Sequence, residues 1–100
     1  MTLEDMRNNA DKAAALLKAM ANQHRLLLLC LLNNGEMSVS EFNQQVSIPQ
    51  SSLSQHLAAL RRENLVVTRR DAQTIYYSLA SEEVKAIINT LYQLYCAPEN

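Results

Sequence analysis

Between the polar stretches "NQHR" and "NNG" lies "LLLLCLL", seven apolar residues in a row from Leu26 to Leu32. A helix over these residues is apolar on every side, so it must be buried on most of them. The run is far shorter than the about 18 apolar residues that cross a bilayer. It therefore predicts a core helix, and Gly35, the only glycine in the chain, suits the left-handed position that ends it. The core around it has few bulky groups to draw on, with no Trp, one Phe and four Tyr although 48% of the 100 residues are apolar. Such a chain makes one domain, 1–100, with little apolar area to spare, so a second subunit is expected to add buried surface.

The remaining elements are marked by caps. Thr2 with Asp5 reads as an N-terminal cap, and the apolar positions Met6, Ala10, Ala13, Ala14, Leu17 and Met20 follow at helical spacing. Ser38 and Glu41 form the S-x-x-E capping box of a short helix over "VSEFNQQV", with Val39, Phe42 and Val46 on one face. Pro49 suits the first turn of a further helix that runs to Glu63, and Asn64 tolerates the left-handed conformation that stops it. From Leu65 the period changes to two. "LVVTRR" and "TIYYSL", separated by the polar "DAQ", predict an antiparallel hairpin. Ser81 with Glu82 and Glu83 opens a last helix carrying Val84, Ile87, Ile88, Leu91, Leu94 and Tyr95. The expected fold class is mainly α with a β-hairpin wing, in the order α-α-α-α-β-β-α.

The fourth of these helices, "QSSLSQHLAALRR", has an unusual outer face. At about 100° per residue, Leu53, Leu57 and Leu60 form one narrow buried stripe. Opposite lie Ser51, Gln55, Ala58 and Arg62, with Ser52 and Ser54 on the flanks and Gln50 in the first turn. A solvated face would more often alternate Glu and Lys. Ser and Gln hydrogen-bond to base edges, Gln to adenine in a two-pronged manner, and small residues let a helix sit deep in a major groove about 12 Å wide. A short helix, a tight turn and such a helix make a helix-turn-helix, whose second helix reads bases through its N-terminal half.

The charge distribution supports double-stranded DNA as the partner, although the net charge is -1. Residues 42–70 hold Arg61, Arg62, Arg69 and Arg70 against Glu63 alone, a balance of +3, whereas residues 71–100 balance to -3 and residues 1–41 to -1. Arg69 and Arg70 lie at the hairpin tip beside Asp71, Gln73 and Thr74, where a wing would grip phosphates or enter the minor groove. The competing reading is a winged helix that docks on a protein, with the arginines as ordinary surface charges. The N-terminus carries no basic segment followed by an apolar one, so a cytoplasmic, nucleoid-associated location and no membrane partner are expected.

"LLKAMANQHRLLLLCLL", "SVSEF" and "SSLSQHLAALRRENLVVTRRDAQTIYYSL" together resemble the ArsR/SmtB family of bacterial winged-helix repressors over nearly the whole chain. The resemblance implies a homodimer through the first and last helices, with the two reading helices in successive major grooves of an imperfect palindrome. The DNA-binding residues are then Gln50, Ser51, Ser52, Ser54, Gln55, Arg62, Arg69, Arg70, Gln73 and Thr74. Within the family the paired cysteines point to a branch in which a cysteine on the second helix and one ending the last helix react to release DNA. Cys30 and Cys96 match those positions, implying a redox switch driven by oxidation or persulfidation. Relatives of this kind either repress by occluding promoters or raise haemolysin and virulence gene expression by relieving silencing; a plain repressor without redox response is the simpler alternative.

Other chemistries find little support. Where many family members hold metal through cysteines, this chain has Ser38 and Ser40, poor ligands for thiophilic metals. His24 and His56 are the only imidazoles, too few for a zinc site, so neither metal nor cofactor is expected. His56 lies at the edge of the buried stripe and is read as a hydrogen-bonded anchor; His24 is read as structural. A thiol enzyme would need His24 beside Cys30, but a six-residue offset places them on largely opposite helix faces. Cys30 alone also fits a small buried apolar residue. No enzyme activity is expected.

Overall fold

The structure, a computed structural model, describes residues 1–96. The expectation of one domain over 1–100 reaches four residues beyond those. The chain runs α1 (Leu3–Met20), α2 (Gln23–Leu32), β1 (Met37–Ser38), α3 (Val39–Gln45), α4 (Gln50–Arg62), β2 (Val66–Asp71), β3 (Thr74–Leu79) and α5 (Glu82–Tyr95). The wing is thus a three-stranded antiparallel sheet in the order β1-β3-β2 rather than a two-stranded hairpin. The added strand has only two residues, Met37 opposite Tyr77 and Ser38 opposite Tyr76, too few to show a period of two.

Most boundaries follow from local hydrogen bonds. The Thr2 hydroxyl accepts from the Asp5 amide and the Asp5 carboxylate accepts from the Thr2 amide, both at 3.1 Å. Asn22, between α1 and α2, caps α2 by accepting from the amides of His24 and Arg25. The two helices meet there at 96°. Pro49 stands one position outside α4, its carbonyl accepting from the Leu53 amide at 2.9 Å. At the other end the Asn64 amide donates to the Arg61 carbonyl and the Leu65 amide reaches back to Leu60. This pattern requires the left-handed Asn64, whose φ is 63°, and it brings two fully buried leucines together.

Leu28, Leu29 and Leu32 of α2 form one core with Phe42 of α3, Leu53, Leu57 and Leu60 of α4, Val66, Leu79 and Val84 and Ile88 of α5. α2 is less enclosed than its composition predicts, since Leu27 keeps 45% of its surface exposed. α1 departs further. Of its apolar positions only Met20 is buried, and Leu3, Met6 and Leu17 face solvent. The stripe exists, but among the described residues only its Met20 end is covered.

The buried capping box at Ser38 ties the sheet to the helix-turn-helix. Its hydroxyl accepts from the Glu41 amide at 3.2 Å while the Glu41 carboxylate accepts from the Ser38 amide at 3.1 Å. Ser38→Ala removes that acceptor and is expected to cost about 1 kcal/mol in urea denaturation, whereas Ser40→Ala, at an exposed position, should leave the midpoint nearly unchanged.

Candidate nucleic-acid interface

α3 and α4 are joined by residues 46–49 and pack through Phe42 and the leucine stripe, so α4 is held by one side only. The stripe is where its spacing puts it, with Leu53, Leu57 and Leu60 all at zero exposure. Gln50, Ser51, Ser54, Gln55, Ala58 and Arg62 are exposed together on the other side, and Ser52 is half-buried at the margin. Arg61 joins this surface. Its angle, about 20° from Ser54 at 100° per residue, places it on the exposed side, so spacing alone adds it to this face.

Two acidic groups near this surface are already engaged. Glu63 accepts from Arg25 Nη1 at 3.1 Å, and the same guanidinium nitrogen donates to the Ala19 carbonyl at 2.9 Å, which fastens the end of α4 to the α1–α2 corner. Glu36, just before β1, takes both prongs of Arg69. Among the described residues no carboxylate lies within 4.0 Å of the guanidinium of Arg61, Arg62 or Arg70. The local positive excess is thus concentrated on these three.

In the wing, Arg69 and Arg70 lie within β2, opposite Tyr76 and Ile75, and the turn itself is Ala72 and Gln73. Ala72 adopts φ 56°, a strained value for a residue with a side chain. Gln73 and Thr74 are exposed at the tip.

The His56 ring stacks at a tilt against His24, centroids 5.3 Å apart, and among the described residues it has no hydrogen bond. It anchors α4 by ring contact, not by the expected hydrogen bond. Burial, then the neighbouring His24 and Arg25, pushes the His56 pKa below its ordinary value. The unfolded chain therefore binds a proton more readily, and this site's contribution to stability falls as pH drops below about 6.5 toward the folded pKa.

Cys30 on α2 is half-buried and Cys96, at the end of α5, is exposed; both are free thiols. Burial and, secondarily, the nearby Cys96 push the Cys30 thiol up, so the thiolate is disfavoured there. Among the described residues no three His, Cys, Asp or Glu side chains converge as a metal site would require. Among the described residues no single helix is long and apolar enough to cross a membrane.

A profile of the bacterial regulatory protein arsR family matches residues 22–68, from the α2 cap into β2. Transcriptional activator HlyU of Vibrio cholerae serotype O1 is 54% identical over 96 residues, covering 96% of this chain and 89% of that protein. The chain belongs to the ArsR family. The biofilm growth-associated repressor of Xylella fastidiosa (strain 9a5c) is 43% identical over 99 residues, covering 99% of this chain and 87% of the relative. The crystal structure of the transcriptional regulator HlyU from Vibrio vulnificus CMCP6 superposes with a TM-score of 0.90 at 58% identity, covering 96% of this chain and 100% of that one. This ArsR-family chain is therefore a winged-helix transcriptional regulator and not an enzyme.

The lowered pKa of His56, set first by burial and then by His24 and Arg25, predicts an acid response. Between pH 7.5 and 5.5 the parent should lose more stability than His56→Gln, as read from urea midpoints at the two pH values; equal losses would remove His56 from the account.

Proposed function

We propose that this regulator binds an imperfect palindromic promoter site as a homodimer and releases it when Cys30 and Cys96 are joined. The observation that carries the reading is the outer face of α4, whose exposed serines and glutamines are bordered by arginines that, among the described residues, have no carboxylate partner. Gln50, Ser51, Ser52, Ser54 and Gln55 lie in the N-terminal half of α4, the part that meets base edges when a reading helix enters a major groove. Arg62, Arg70, Gln73 and Thr74 contact the backbone on either side, with Arg61 beside them, and supply affinity and orientation. The exposed apolar side chains of α1 and α5, among them Met6, Leu17, Tyr92 and Leu94, form the dimer surface. Pairing there would repeat α4 at about 34 Å, one turn of the duplex.

The thiol step uses the difference between the cysteines. Exposed Cys96 reacts first, its thiolate displacing hydroxide from a peroxide to form a sulfenic acid, and the Cys30 thiol then attacks that sulfur with loss of water. A persulfide donor would instead pass its outer sulfur to Cys96 and leave as a thiol, and the Cys30 thiolate would then attack the Cys96 sulfur and expel hydrosulfide, giving the same disulfide. By either route the disulfide ties α5, which carries the dimer surface, to α2, on which α4 rests, and so alters the spacing of the reading helices. As in the activator that it resembles at 54% identity, the chain would raise expression, here by displacing a silencing protein from the promoter.

Binding of a fluorescent duplex selected by the parent from a random pool tests the interface. Gln55→Ala should cost about 1 to 3 kcal/mol of discrimination against a mutated site, and Arg70→Ala should flatten the plot of log affinity against log salt by about one unit. A site preference untouched by Gln55→Ala would remove base readout from this face. Peroxide or persulfide should release DNA from the parent but not from a Cys30→Ser, Cys96→Ser double variant. An equal response of both would discard the switch.

A further inference from the structure

Strand alternation separates two arginines that are neighbours in sequence. Residues directly opposite in a sheet share a face, so the registers Met37 to Tyr77, Ser38 to Tyr76, Val66 to Leu79 and Arg69 to Tyr76 sort the wing into two sides. Met37, Val66 and Leu79 are buried and Tyr77 packs against the core, and Arg70 falls on their side. Arg69 falls on the other, with Ser38, Tyr76 and, two residues before Ser38, Glu36.

There Arg69 is fully engaged. Its guanidinium lies 4.6 Å from the centroid of the Tyr76 ring. Its Nε donates to one Glu36 carboxylate oxygen at 2.8 Å and its Nη2 to the other. That hydrogen bonding holds the Glu36 carboxyl below the usual carboxylate range, so Glu36 is an anion throughout the neutral range. The side chains are 54% and 38% exposed, which leaves the pair within reach of an approaching duplex.

A carboxylate and a phosphate make the same demand on a guanidinium, two parallel N–H donors, and one Arg cannot serve both fully. We propose that Glu36 is a built-in rival of the DNA phosphate: it holds Arg69 off the duplex as a positioning residue of the wing and leaves the grip to Arg70. The inference rests on the DNA-binding reading above. Its consequence is thermodynamic, because each phosphate neutralised by a cation steepens the dependence of log affinity on log salt by about 0.9. An arginine kept by Glu36 contributes nothing to that slope; one released from it contributes a full unit.

The test is anisotropy of the same labelled duplex across a salt series, with variants whose far-UV circular dichroism matches the parent. Glu36→Gln should bind several-fold more tightly at low salt with a slope steeper by about one unit, and Glu36→Ala should do the same. Arg69→Ala should leave the slope where it is, and the Glu36→Gln, Arg69→Ala double variant should return to it. If Arg69→Ala flattens the slope by about one unit, or neither Glu36 variant steepens it, the proposal is wrong. The Arg70→Ala arm separates the two levels: a flattened slope there with silent Glu36 variants overturns only the role of Glu36. Binding that ignores salt in every protein overturns the DNA reading and this inference together.

Discussion

The outer face of α4 depends on a single seam, the packing of the α4 leucine stripe onto α2. Leu53, Leu57 and Leu60 are entirely buried against a core that includes Leu28, Leu29 and Leu32. Truncation of any one such leucine typically costs about 2 to 5 kcal/mol, a large share of the about 5 to 15 kcal/mol that a domain has in total. With three leucines fixing its rotation and the Asn64 cap fixing its end, α4 can leave its other side free of stabilising duties. That freedom permits serines, which are modest helix formers, to occupy three of its first five positions.

Electrostatics divides the arginines by what the fold already gives them. Arg25 is spent on Glu63 and the Ala19 carbonyl, inside the joint between α1, α2 and α4. Arg69 is spent on Glu36 and the Tyr76 ring. Among the described residues the other four, Arg7, Arg61, Arg62 and Arg70, form no ion pair; Arg7 lies on α1 and the remaining three lie on the last turn of α4 and on the wing. Exposed ion pairs contribute little to stability, so the effect of these pairings lies in which cations stay available rather than in how firmly the domain folds.

What the sequence revealed and what it hid follow the range of the interactions. The capping boxes at Thr2 and Ser38, the left-handed Asn64 and the leucine stripe of α4 are all settled within a few residues, and each stands in the structure where its spacing puts it. β1 went unseen because its identity as a strand comes only from β3, some forty positions later. The ion pair of Glu36 with Arg69 spans 33 positions, and no local signal distinguishes Arg69 from Arg70 except the parity of the strand, whose meaning needs the register. The α1 stripe was legible as a stripe, but its solvent exposure was not, because spacing gives the apolar face and not what covers it. Of the candidate interface, the exposed face of α4 was readable by angle, while the pairing of Arg69 with Glu36 in the wing was not.

The position of α2 explains why one helix would serve both stability and control. Its leucines hold α4, its one cysteine lies between two of the flanking leucines, and it packs against α5 as well. Cys30 is half-buried with a disfavoured thiolate, so in the reduced protein it behaves as another apolar residue of the core helix. A bond to Cys96 would draw the end of α5 toward α2 and put a covalent demand on the element that sets the attitude of α4. Because interiors are close-packed, such a demand cannot be absorbed locally by empty space and must move neighbouring elements. Among the elements packed on α2 is α4, the helix proposed to read DNA.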